Sequence, residues 1–371
     1  SLNTASGAGG VYVSGTFTMS GTAAISDNTS TGTSAGGVFL NGGTTLFTMD
    51  GGKITGNKNT SAGSAGGIGL SGATFTMNDG EISGNESVSY GGAFYDWAGT
   101  INIKNGTIKN NTAADGGAVY INGAGAINLS GGTITGNTAT GKGGAIYVNI
   151  SGDPTLTMSE SACVTHDNDI YLANGRTITI SGALSGTLPV ATITPSSYTD
   201  GKQVLTGDYA TGDNYKKFAV TPNAANPAQD WCVNSAGQLE LITAWVAAIN
   251  GIYYTTIGDV NTAVQQMSGS GNKILFGPSA QNAHLGNTWN TGANFGWYVR
   301  TNSAITGIDI IDLSKATGIT SIWQAAFCSL PHIYAIILPP NLAMISDVDV
   351  FNGTQGLSEL VIPASVTKIG A

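Results

Sequence analysis

Charge is what this 371-residue chain has least of: only 9% of its residues are Asp, Glu, Lys or Arg. Its two arginines are Arg176 and Arg300, and net charge is −9, so no basic patch exists to neutralise phosphates and nucleic acid is excluded as a partner. The cysteines, Cys163, Cys232 and Cys328, are odd in number and far apart, which rules out a disulfide framework and a CxxC metal site. His166, His284 and His332 are equally scattered. No apolar run approaches the ~18 residues of a membrane span, and no signal peptide is expected within this piece. Long helical periodicity is missing too.

Glycine fills the gap, with 55 copies, while 41% of residues are hydrophobic and recur in register, so the chain is expected to fold. A double glycine followed by a hydrophobic strand stands at Gly9-Gly10, Gly36-Gly37, Gly66-Gly67, Gly91-Gly92, Gly116-Gly117 and Gly143-Gly144. The intervals are 27, 30, 25, 25 and 27 residues, and self-similarity at such a period marks a solenoid.

Each repeat reads as three short strands. The first follows the glycines (Val11–Val13 through Ile146–Val148). The second alternates: Phe17/Met19, Phe47/Met49, Phe75/Met77, Ile101/Ile103, Ile127/Leu129 and Leu156/Met158. The third is an Ile-x-x-Asn unit ending at Asn28, Asn57, Asn85, Asn111 and Asn137. Gly52, Gly80, Gly106 and Gly132 precede it and place one turn at the same corner of every coil. Strands this short need stacked neighbours, which gives a parallel β-helix with about 4.8 Å per coil. A seventh coil carries Ile170-Tyr171-Leu172 and Ile178/Ile180, and a last one Val190 to Ile193. Phe17, Phe47, Phe75, Ile101, Ile127, Leu156 and Ile178 are expected to form one internal column. The five asparagines are expected to stack as a structural ladder, each amide bonding the next. Lys53 and Glu81 should be outward neighbours in adjacent coils.

Residues 1–195 are therefore read as a right-handed parallel β-helix, and 196–243 as a β cap containing Phe218–Val220, Trp231–Val233 and Leu239–Leu241. Residues 244–300 are a connecting α/β module: a helix from Asp259 to Met267, a strand at Lys273–Phe276, and an aromatic core from Trp289, Phe295, Trp297 and Tyr298. From 301 to 371 a second period appears. Ile311-Asp312-Leu313, Ile336-Ile337-Leu338 and Leu360-Val361-Ile362 are 25 and 24 residues apart, and Phe327 and Phe351 are 24 apart. This spacing predicts a leucine-rich repeat, truncated at residue 371. The chain reads as a piece of a longer protein. The overall class is an all-β-dominated solenoid.

The GGAF, GGAV and GGAI tetrapeptides at 91, 116 and 143, each with its Ile-x-x-Asn unit, resemble the repeats of chlamydial polymorphic outer-membrane proteins. They resemble still more the glycine-rich β-helix surface proteins of spirochaetes. The C-terminal part resembles BspA-type leucine-rich repeats, with Ala326-Phe327-Cys328-Ser329-Leu330 near that family's Phe-x-x-Cys-x-x-Leu step, the cysteine shifted. These resemblances imply a cell-surface or secreted location and an adhesive or structural role toward proteins or glycans on host or bacterial surfaces.

Enzymatic chemistry was weighed against this. A polysaccharide lyase or glycoside hydrolase requires clustered carboxylates. Here Asp27, Asp50, Asp79, Glu81, Glu86, Asp96, Asp115, Asp153 and Glu160 fall mostly in different columns of the repeat, and Asp167/Asp169 reads as a solvated turn. No catalytic residue, cofactor or metal site is assigned. An outward row of Tyr12, Phe39, Tyr95, Tyr120, Tyr147 and Tyr171, interrupted by Gly69, is a candidate binding surface, centred on Tyr95, Tyr120, Tyr147 and Tyr171. On the C-terminal repeat the corresponding surface is the sheet around Ile311, Ile337 and Val361. Pairs such as Thr74/Thr76 and Thr155/Thr157 make a flat threonine array that ordinary β-propensity explains.

Overall fold

A computed structural model describes residues 2–265, 272–281, 285, 307–323, 326–328, 330, 332–346 and 349–370. It divides into two compact units: residues 1–227 with 231–241, and residues 228–230 with 242–371. The expected aromatic cluster at Trp289, Phe295, Trp297 and Tyr298 lies outside the described residues.

The first unit is a parallel β-helix whose coils run through three sheets. One sheet has nine strands, each entering after the double glycine or its equivalent, from Val11–Val13 through Phe94–Trp97 to Ala191–Pro195 and Phe218–Val220. A second, of eleven strands, holds the alternating segments. Within it Phe17, Phe47, Phe75, Ile101, Ile127, Leu156 and Ile178 are register partners in that order, and Leu205 extends the column. All but half-buried Phe17 are fully enclosed. The rings of Phe47 and Phe75 lie 5.0 Å apart, and Phe94 from the neighbouring sheet is 5.0 Å beyond Phe75.

In the first three coils the second and third expected strands are continuous, as in Thr74–Ser83, bending at Gly52 and Gly80 with φ of 87° and 115°. The bend also serves packing. A β-carbon built on Gly80 would sit 2.6 Å from Met49 Cε, and one on Gly106 would sit 2.5 Å from Met77 Cε. The corner glycine thus receives the methionine of the coil before it. The double glycines answer a different constraint: a β-carbon on Gly92 would lie 2.2 Å from the Gly117 carbonyl oxygen, and one on Gly117 would lie 2.2 Å from that of Gly144. Coils approach there backbone to backbone, and no side chain fits.

A third sheet was not foreseen. It consists of six two-residue strands, Thr4–Ala5, Thr29–Ser30, Lys58–Asn59, Glu86–Ser87, Thr112–Ala113 and Thr138–Ala139. Two residues carry no readable periodicity, so only pairing between coils defines these strands.

The β-helix also outruns its expected limit at residue 195. Leu205–Gly207 pairs with Ile178–Leu184, and Phe218–Val220 pairs with Ala191–Pro195, so Phe218–Val220 is a sheet strand and not part of a cap. Asp230–Val233 and Leu239–Ile242 form a separate two-stranded sheet.

In the second unit the two expected parts share one six-stranded sheet. Ala247–Ile249 pairs antiparallel with Ile252–Tyr254 and with Lys273–Phe276, and parallel pairing then runs through Ile310–Asp312, Ala335–Ile337 and Glu359–Val361. Ile311, Ile336 and Leu360 are partners across successive coils, and the Phe327 and Phe351 rings stack 5.8 Å apart. The α-helix spans Ile257–Val264, two residues earlier than expected, because Thr256 caps it: its hydroxyl accepts from the Asp259 amide at 3.2 Å.

Candidate functional site

The asparagine ladder runs along the inside of the β-helix. Asn28 Nδ2 donates to Asn57 Oδ1 at 2.9 Å, Asn57 to Asn85 at 3.0 Å, Asn85 to Asn111 at 2.9 Å and Asn111 to Asn137 at 2.9 Å. Each acceptor oxygen also takes the backbone amide of the preceding asparagine, for example Asn85 N at 2.9 Å from Asn111 Oδ1. Asn3 and Asn168 extend the ladder at its two ends. The second amide hydrogen turns to the coil before, as from Asn85 Nδ2 to the Ile54 carbonyl at 3.0 Å. With their donors and acceptors engaged and their side chains buried, these asparagines are built to hold coils together.

On the outer side, Tyr95, Tyr120, Tyr147 and Tyr171 are register partners whose rings follow one another at 5.8, 4.8 and 4.9 Å. The row is not an open face, which corrects the expectation. Tyr120 is 6% exposed and Tyr171 7%. Tyr90, immediately before one double glycine, packs 4.3 Å from Tyr120. Lys142, immediately before another, donates to the Tyr171 hydroxyl at 3.1 Å and lies over its ring. At these two coils the chain entering the double glycine therefore crosses outside the row. Burial raises the pKa of Tyr95, Tyr120 and Tyr147, while the Tyr171 hydroxyl raises that of Lys142. Tyr90 lies off the repeat, so no period pointed to it.

Beside this row runs a second outward column: Asn41, Ser71, Trp97 and Asn122 in register, with Asn149 next. Asn149 Nδ2 donates to Asn122 Oδ1 at 2.9 Å, and Asn122 Nδ2 to the Tyr95 hydroxyl at 3.3 Å. Trp97 stands out among them at 51% exposed.

Carboxylates are dispersed and mostly tied to structure. Asp167 Oδ2 takes the Gly136 amide at 2.9 Å, and Asp169 Oδ1 takes the Gly144 amide at 2.5 Å, where the next coil has no double glycine. Asp115 Oδ1 takes the Lys142 amide at 2.9 Å. Lys53 and Glu81 are register partners, yet the ion pair that Glu81 makes is to Lys109 at 3.1 Å; the Ser83 hydroxyl, then Lys109, hold its pKa below the usual range.

Asp96 is the exception. It points into the core, fully buried, in register with Leu70 and Ile121. Its Oδ1 accepts the Gly99 amide at 2.7 Å, and its Oδ2 has no hydrogen-bond partner. Burial pushes its pKa up to about 7, against the partial offset of the Gly99 amide. The column position of Asp96, two residues after Phe94, was a signal that this carboxylate faces inward.

In the second unit Ile311 is buried and belongs to the core column, so it leaves the expected contact surface; Ile337 and Val361 are 41% and 64% exposed. Their partner on that face is Asp312, which burial alone would raise but which Lys273 at 2.5 Å and Ser314 hold below the usual carboxylate range. Asp230 gathers the Trp245 indole N–H at 3.3 Å, the Tyr253 hydroxyl at 3.2 Å and Lys315. An open groove of about 590 Å³ lies along Thr194, Ser197, Tyr198, Thr221, Pro222 and Asn223, and the Tyr198 hydroxyl is engaged there by Thr221.

Among the described residues no three His, Cys, Asp or Glu side chains converge as metal ligands, and no helix is long and apolar enough to cross a membrane. The chain matches no protein-family profile, no curated protein sequence and no solved structure.

Proposed function

We propose that this chain is a non-enzymatic repeat scaffold of a cell-surface or secreted protein, an adhesin or structural spacer. In this reading it binds a protein or glycan of a host or bacterial surface, and no cofactor takes part. The observation that carries it is the use made of charge: the carboxylates Asp115, Asp167 and Asp169 are engaged by backbone amides of neighbouring coils, and the remainder are spread over several faces. A rigid stack whose charges are dispersed and partly paired, as in Lys58–Glu86 and Lys109–Glu81, suits recognition spread over several coils. The kinship with spirochaete-type glycine-rich β-helix proteins, and with BspA-type leucine-rich repeats for 301–371, belongs to the same proposal. It rests on the GGAF, GGAV and GGAI repeats and the 25- and 24-residue spacing.

The test incubates the full chain with pectins, alginates, glycosaminoglycans and plant glycans, read for new reducing ends and unsaturated products, with matrix-protein binding alongside. Binding without turnover is expected. Turnover of one glycan that vanishes when a single carboxylate is replaced would make the chain a carbohydrate-active enzyme instead.

A further inference from the structure

One corner of the β-helix breaks the rules of its own repeat three times in succession. Where the coil before has Leu70-Ser71-Gly72, this coil has Asp96-Trp97-Ala98. A buried carboxylate replaces a core leucine, an indole 51% exposed replaces a serine, and Ala98 holds φ of 60° where Gly72 has 72° and Gly123 has 59°. Each change is unfavourable alone: a charge without full pairing in the core, apolar area left in water, and left-handed backbone with a β-carbon. Such violations persist where function selects them.

The three residues form one device. Asp96 Oδ1 takes the Gly99 amide at 2.7 Å, closing from inside the turn on which Trp97 stands. Glycines of its own coil and of the next make room: a β-carbon on Gly99 would meet Asp96 Oδ1 at 2.7 Å, and one on Gly125 would meet Oδ2 at 2.6 Å. Outside, Trp97 is flanked in register by Ser71 and Asn122, and along its own strand by Tyr95. Asn122 Nδ2 gives one hydrogen to the Tyr95 hydroxyl and keeps a second. No charged residue stands in the column Asn41, Ser71, Trp97, Asn122, Asn149.

We propose that this corner binds a neutral oligosaccharide, with a pyranose ring stacked on the Trp97 indole and its hydroxyls on Asn122 and Ser71. A pyranose has an apolar C–H face and a rim of hydroxyls that both donate and accept. An indole plate edged by an amide and a hydroxyl supplies both requirements, and the lack of charge disfavours polyanionic glycans. Asp96 is a positioning residue beneath the plate. The inference rests on the reading that the chain recognises surface components.

The experiment is calorimetric titration of the full chain, wild type, Trp97→Ser and Trp97→Phe, with cellohexaose, xylohexaose, mannohexaose and chitohexaose. Polygalacturonate and heparin serve as charged comparisons, and matrix-protein binding is measured on the same samples. The serine is the residue of the preceding coil and the site is exposed, so circular dichroism should show an unchanged fold. At least one neutral hexasaccharide should bind, about tenfold or more weakly to Trp97→Ser, with Trp97→Phe restoring most of the affinity. Equal binding by Trp97→Ser, or binding confined to the polyanions, would overturn the site. Matrix-protein binding that ignores Trp97, with no neutral glycan bound, would remove the site and leave the scaffold reading standing. A wild-type chain that binds nothing, or cleaves a hexasaccharide, would remove both.

Discussion

Replacing Asp96 by asparagine keeps the volume and the acceptor for the Gly99 amide while removing the ability to ionise. Burial pushes the carboxyl's pKa up to about 7 in the folded chain, from an ordinary value near 3.8. The sign follows from proton binding: between those values the folded state holds a proton that the unfolded state has released, so stability falls as pH rises. The loss begins near pH 4 and is complete above about pH 7, where the carboxylate is ionised in the core. At about 1.4 kcal/mol per pH unit, the window between those two values amounts to about 4 kcal/mol. Asparagine mimics the protonated acid, so wild type and Asp96→Asn should unfold alike at pH 4 and diverge progressively to pH 8, the variant being more stable. Guanidinium unfolding followed by far-ultraviolet circular dichroism at a series of pH values reads this directly. A wild-type–variant gap that stays constant from pH 4 to 8 would show that Asp96 does not titrate in a buried, uncompensated site, and the reasoning would fail.

Three further perturbations separate the forces in the β-helix. Phe75→Ala should destabilise the first unit by about 3–5 kcal/mol, because Phe47 and Phe94 at 5.0 Å on either side are held by their own coils and cannot close the void; equilibrium unfolding measures it. Asn85→Ala orphans the buried Asn57 amides and the Ile54 carbonyl, each worth about 1–3 kcal/mol, so its cost should exceed that of an exposed Asn→Ala such as Asn41→Ala by a clear margin in the same assay. Gly92→Ala should abolish soluble, folded protein, since its β-carbon would lie 2.2 Å from the Gly117 carbonyl oxygen, whereas Gly15→Ala, with nothing within 4 Å, should express and melt near wild type.

What could be read in advance was whatever repeats with a side chain of one kind. The Phe75-to-Ile101 column, the Ile-x-x-Asn unit and the double glycines each place a chemically restricted residue at a fixed step, and the observed register follows those steps. The two-residue strands after each asparagine are too short to show alternation, and Lys58 and Glu86 interrupt the threonines that open the others. The period of the tyrosine row predicts an open face, but Tyr90 and Lys142, from segments where the repeat permits variation, cover Tyr120 and Tyr171. Trp97 carries no periodic signal, because it occurs once in its column. Asp96 could have been found by counting, since two residues after an inward phenylalanine is an inward position.

The asparagine ladder has a direction. Every ladder Oδ1 receives from the coil before it, so the backbone amide and one side-chain N–H of each ladder asparagine are met by the next coil, later in the chain. Each coil thus completes its predecessor and presents fresh donors to its successor. The series stops at Asn168, whose amide turns back to the Asn137 and Asp167 carbonyls at 3.1 and 2.8 Å and asks nothing of a later coil. That reversal is a chemical stop signal, and beyond it the coils continue on apolar contacts and strand pairing, with Asn214 Oδ1 meeting the Leu184 amide outside the series.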